Sequence, residues 1–125
     1  MTEIMMSIQP KWVDKILKLE KRYELRKSIP KAAFPFRVFI YQTVNGGVVA
    51  EFICDGIDSA AGEWIDKEFL TDTCVSVQDA RNYADGNILY KWRIRSLITY
   101  SAPKKLSEFG LDKPPQSWCY VKEDK

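Results

Sequence analysis

Histidine is absent from the 125 residues. That excludes a Ser-His-Asp triad, a histidine-assisted cysteine nucleophile and a zincin site. Cysteine is scarce: Cys54, Cys74 and Cys119 lie far apart, with no CxxC pair. A structural zinc site takes four Cys or His ligands, so neither a metal nor a cofactor is expected. Three unpaired thiols and no leader-like segment point to a reducing, cytoplasmic setting. No apolar run approaches the ~20 residues of a membrane helix. Charge of one sign is also lacking, since 19 Lys and Arg against 17 Asp and Glu leave +2. That excludes a surface basic all over and leaves room for a local basic patch.

What is present suits one domain, expected over residues 1–121, with 122–125 as a loose tail. Hydrophobic residues make up 46% and charged residues 29%, an ordinary globular balance. Ile4 to Ile8 reads as a buried strand. Pro10 opens a helix through Trp12, Val13, Ile16 and Leu17. Lys21 to Lys27 alternates as a strand, placing Lys21, Tyr23 and Leu25 on one face and Arg22, Glu24 and Arg26 on the other. Phe36 to Thr43 and Val48 to Cys54 read as strands around the hairpin signal Asn45-Gly46-Gly47.

Trp64, Ile65, Glu68 and Phe69 have helical spacing. Ser76 with Asp79 resembles a capping box for a helix ending at Gly86. Ile88 to Tyr100 reads as one long strand, with Tyr90, Trp92 and Ile94 opposite Lys91, Arg93 and Arg95. Ser117 to Val121 reads as a last short strand. The sum is an α+β fold, a small and mostly antiparallel β-barrel flanked by short helices.

Chemistry must then rest on Lys, Arg, Asp, Glu, Ser, Thr or Tyr. The cluster Lys21, Arg22, Glu24, Arg26 and Lys27 is either a solvated strand face or a site gripping phosphate or carbonyl oxygens. Lys91 and Arg93 form a second basic row beside aromatic residues. Trp118 and Tyr120 either wall a base pocket or close the barrel. Cys54 and Cys119 read as packing, and Thr71 and Thr73 as loop residues.

Ser7-Ile8-Gln9-Pro10, Trp12-Val13, Ile16-Leu17 and Glu20 to Lys27 resemble the opening of ASCH domains, in the PUA-like superfamily. The family pattern is G-x-K-x-x-E-x-R; Lys21, Glu24 and Arg26 match it, and Leu19 stands where the family has glycine. Val49-Ala50-Glu51-Phe52, Leu89 to Leu97 and the closing Pro114-Pro115-Gln116-Ser117-Trp118-Cys119-Tyr120 resemble later segments of phage and bacterial members. The resemblance implies a PUA-like barrel that binds RNA or a modified nucleoside in a small cationic cleft. Lys21, Glu24 and Arg26 would line the cleft, with Lys91, Arg93 and Trp118 extending it; DNA and a protein partner stay open. Some relatives are ribonucleases or N4-acetylcytidine amidohydrolases, which implies Lys21 and Glu24 as the catalytic pair if this chain is an enzyme. The amidohydrolases carry a nucleophilic threonine where this chain has Glu24.

Overall fold

The computed structural model describes residues 1–44 and 46–121. Asn45 and the expected tail at 122–125 lie outside them. Strand β1 (Glu3–Ile8) leads into α1 (Pro10–Leu17), then β2 (Tyr23–Arg26), β3 (Phe36–Gln42), β4 (Val48–Cys54) and β5 (Ile57–Ala60). Helix α2 (Val77–Ala84), β6 (Leu89–Arg93), β7 (Arg95–Lys104) and β8 (Trp118–Tyr120) follow.

Two sheets result, β7-β4-β3-β1-β8 and β2-β6-β5. Among the described residues only β1 and β3 pair in parallel. The expected barrel is not closed among the described residues. Side chains, not a backbone ladder, bridge β2 and its following loop to the larger sheet. Arg26 donates to the Ser7 carbonyl at 2.9 Å, and the Trp118 indole donates to Ser28 Oγ at 2.9 Å.

The main core lies between the sheets. Ile4, Met6 and Ile8 meet Phe36, Val38, Ile40, Ala50, Phe52 and Cys54, with Val13 and Ile16 of α1 and Trp92 of β6 closing it. The alternation read from Val48 to Cys54 survives intact, every second side chain being buried. Behind the smaller sheet, Leu25 and Leu89 pack on Ile65, Leu70, Ala80 and Ala84. Behind the larger one, Met5 and Phe39 are covered by Leu106, Phe109 and Leu111.

Two expected elements differ. The helical spacing at Trp64 to Phe69 yields only a short 3-10 turn, Gly62–Trp64, followed by further turns. Here the apolar spacing serves attachment: Ile65 and Leu70 pin an irregular segment to the smaller sheet. The single strand expected from Ile88 to Tyr100 is two, because the chain changes sheets at Ile94. Ser96, with φ 51°, adopts a left-handed backbone beside the break. The helix at Ser76 forms as read, its hydroxyl accepting from the Asp79 amide at 3.1 Å.

Helix α1 ends in a Schellman arrangement: Leu19 N–H donates to the Ile16 carbonyl and Glu20 N–H to that of Lys15, both at 3.0 Å. Leu19 holds φ 63°, the left-handed conformation that glycine adopts without steric cost. The residue is exposed, so Leu19→Gly sacrifices little packing. A gain of about 0.5–1 kcal/mol is expected, the relieved backbone strain outweighing glycine's extra unfolded-state entropy. A urea midpoint unchanged or lowered in Leu19→Gly would contradict it.

A buried charged triad between the two sheets

The Schellman turn delivers Lys21 into the gap between α1 and β2, before the strand begins. Its side chain is 1% exposed. Lys21 therefore does not continue the Tyr23 and Leu25 face. Its Nζ donates to the Thr73 carbonyl at 2.5 Å, lies 3.4 Å from Glu24 Oε1, and sits 4.8 Å from the centre of the Trp12 ring. Burial pushes the Lys21 ammonium below its ordinary range, and the Glu24 carboxylate offsets part of that.

Glu24, 5% exposed, stands at the centre. Its Oε2 accepts from Arg26 Nη2 at 3.0 Å, and its Oε1 accepts from the Leu25 amide at 3.1 Å. Arg26 is the member that solvent reaches, with 12% of its side chain exposed. The alternation of β2 puts Glu24 and Arg26 on one face because the strand pairs with β6 through Glu24 to Trp92 and Arg26 to Tyr90. Two buried donors on this face, Arg26 Nε and Trp92 Nε1, meet no acceptor among the described residues.

Lys91 and Arg93 occupy the opposite face of the same sheet, level with Leu25 and Tyr23. They do not join the triad. Lys91 Nζ donates to the Phe69 carbonyl at 3.0 Å and lies over the Tyr23 ring. Trp118 packs its ring between Trp92 and Tyr120, with centroids 5.9 and 5.5 Å away, and its N–H is held by Ser28. Two cavities, one lined by Arg22, Arg93 and Arg95 and the other by Ile65, Arg81 and Asn87, do not touch Lys21, Glu24 or Arg26.

Sequence reasoning missed three participants. Thr73, fully buried, anchors Lys21 through its carbonyl while its hydroxyl donates to Leu70 and accepts from the Val75 amide. A main-chain acceptor 52 positions away leaves no signature in sequence. Ser7 contributes its carbonyl to Arg26 in the same way. Tyr83, half-exposed on α2, stands beside Arg26. Burial raises the Tyr83 phenol, and the Arg26 guanidinium opposes that. Lys27 Nζ lies 4.7 Å from the centre of the Tyr83 ring, making a basic and aromatic rim.

Two of the thiols, Cys54 and Cys119, lie apart from this site. Cys54 is buried, and desolvation pushes it up to about 11. The Cys119 thiol is raised by the same cause. Among the described residues no group of three His, Cys, Asp or Glu gathers to hold a metal ion, and no helix is long and apolar enough to cross a membrane.

Comparison with known proteins rests on structure alone. No family model matches the sequence, and no curated protein matches it. Among solved structures, the ASCH protein from Zymomonas mobilis superposes with a TM-score of 0.83 at 22% identity, covering 97% of this chain and 88% of that one. A tyrosine-to-phenylalanine variant of that protein matches at 0.83 and 21%, covering 97% and 91%. A serine-to-alanine variant gives the same score and identity, covering 97% and 89%. Over nearly its whole length, the chain has the fold of an ASCH domain.

Proposed function

We propose that the protein binds RNA or a modified nucleoside at the Lys21, Glu24 and Arg26 site. The observation that carries this reading is a buried triad of net charge +1 with two donors, Arg26 Nε and Trp92 Nε1, lacking an acceptor. An unsatisfied buried donor costs about 1–3 kcal/mol, so such a face favours a ligand that brings acceptor oxygens. Phosphate and base carbonyl groups both do. Arg26 would meet the ligand first, Glu24 would accept from an exocyclic amine, and Lys21 would hold Glu24 in place.

The test is a thermal-shift and binding screen against cytidine, N4-acetylcytidine and short single-stranded RNA and DNA. Arg26→Gln removes a charged donor while Glu24 keeps Lys21 and the Leu25 amide. Losing a hydrogen bond from a charged group costs about 1.5–3 kcal/mol, so affinity should fall about 10- to 100-fold with the fold intact. Equal affinity in Arg26→Gln, or no binding by the unaltered protein, would remove the reading.

A hydrolase in the same site is the second reading, favoured by one observation. Lys21, its ammonium held below the ordinary range by burial, lies 3.4 Å from the Glu24 carboxylate, and the two make a candidate acid and base pair. An acyl transfer of the threonine type finds no free hydroxyl there, since Glu24 holds that position and the Thr73 hydroxyl is bonded twice. Mass spectrometry of each nucleoside and RNA after incubation decides this reading. Turnover that survives Glu24→Gln would exclude Glu24 as acid or base.

A further inference from the structure

We infer that a second site, a groove walled by Arg22, Arg93 and Arg95, binds the phosphate backbone of a single-stranded nucleic acid. As an RNA contact, it rests on the binding function proposed above. The groove is a cavity of about 320 Å³ lined by those three arginines with Tyr23, Asp72 and Ile94. It opens where the chain passes from β6 to β7. Arg22 ties that junction together: its carbonyl accepts from the Ile94 amide at 2.9 Å, and its own amide donates to the Asp72 carbonyl at 2.7 Å. The backbone of Arg22 is thereby held beside two arginines distant in sequence.

The guanidinium groups are not used up within the fold. Arg93 and Arg95 share one carboxylate, Asp55, with Nε to oxygen distances of 3.8 and 3.4 Å, both longer than a good hydrogen bond. Among the described residues Arg22 makes no ion pair. Three guanidinium groups against Asp72 and the shared Asp55 leave the groove positive. Holding like charges together costs free energy that an anion recovers, and the planar fork of a guanidinium matches two phosphate oxygens. Only Tyr23 and Ile94 give the walls an apolar part, too little to enclose a base; this favours phosphate over nucleobase as the occupant.

Position suggests the nucleic acid. Lys21 and Arg22 are neighbours whose side chains serve opposite sides of one stretch of backbone, the triad on one and the groove on the other. Cationic groups on both sides of one backbone stretch suit a polyanion that carries a charge at every residue, as the phosphates of a single-stranded nucleic acid do.

Two titrations test this. The first follows the arginine Nε–Hε resonances during addition of inorganic pyrophosphate. Arg22, Arg93 and Arg95 should shift together and saturably, and Arg93→Gln/Arg95→Gln should abolish the response. Shifts no larger than those of Arg37 and Arg81, or none that saturate, would overturn the site. The second measures how binding of a single-stranded RNA dodecamer depends on salt. Each lost phosphate contact lowers the slope of log K against log salt by about 0.7, so the double variant should flatten it by about 1.4.

An unchanged slope overturns the backbone assignment. So does a glutamate-rich peptide of matching charge that binds as tightly through the same arginines. If the dodecamer fails to bind the unaltered protein, the backbone assignment falls, nucleoside binding still decides the triad reading, and the pyrophosphate titration alone decides whether the groove holds phosphate.

Discussion

Glu24→Gln is expected to lose about 3–5 kcal/mol of folding stability, read from urea unfolding at neutral pH. The carboxylate is the common partner of two cations, Lys21 at 3.4 Å and Arg26 at 3.0 Å, inside a region that water barely reaches. Removing one member of a buried ion pair leaves an uncompensated charge, and here it leaves two of the same sign. Small domains hold only about 5–15 kcal/mol in total, so the variant would sit near the edge of folding. The loss should shrink as pH rises. In the variant the Glu24 interactions that raise the Lys21 pKa are gone, while burial and Arg26 continue to lower it. The folded state then releases the Lys21 proton at a pH where the unfolded chain still binds it, so stability recovers toward alkaline pH. A loss below about 1 kcal/mol would show that the triad is far better solvated than its burial indicates.

Replacing the whole triad should behave differently. Lys21→Met/Glu24→Leu/Arg26→Met exchanges three buried charges for apolar groups of similar volume, a change that often leaves stability unaltered or raises it by about 1–4 kcal/mol. Against that stand the Thr73 and Ser7 carbonyls and the Leu25 amide, which lose their partners at buried positions, at about 1–3 kcal/mol each. No charge is left unpaired, so the triple variant is expected to be more stable than Glu24→Gln, with RNA or nucleoside binding gone. This outcome separates the two reasons a protein has for burying charge. A triad serving stability would make the triple variant at least as unstable as Glu24→Gln. A triad serving a ligand makes it stable and inert.

The legible parts of this molecule were those written in local pattern. Val48 to Cys54 alternates because one face meets the core, and α1 shows its apolar stripe because Val13 and Ile16 must both reach that core. Glu24 and Arg26 share a face as their alternation predicts, since β2 is a regular strand over that stretch. Lys21 does not follow the alternation, because it precedes the strand, and its direction is set by the turn ending α1. The break at Ile94 was illegible for a related reason. Period-two alternation continues across it, yet Ser96 turns the backbone so that one run of sequence serves two sheets. Thr73 acts through a carbonyl that every residue type possesses, so only the folded chain reveals it. The barrel failed at its seam, where Arg26 and Trp118 reach across through side chains. Backbone pairing has a sequence signal in strand propensity; a single side-chain bridge has none.

Strand β1 lies inside the larger sheet, flanked by β3 on one side and by β8 on the other. The first of the described strands thus acquires its second neighbour from residues 118–120 of β8, the last of them. Until those residues leave the ribosome, one edge of β1 presents unpaired amides and carbonyls along Ile4, Met5 and Met6, all of them apolar. An exposed apolar edge is a template for pairing with another chain. Arg26, which binds the Ser7 carbonyl, and Ser7 itself, which donates to the Pro115 carbonyl at 2.7 Å, both belong to that seam. The triad and the closing of the sheet thus meet at Ser7: a nascent chain short of β8 has an unguarded edge directly beside the site.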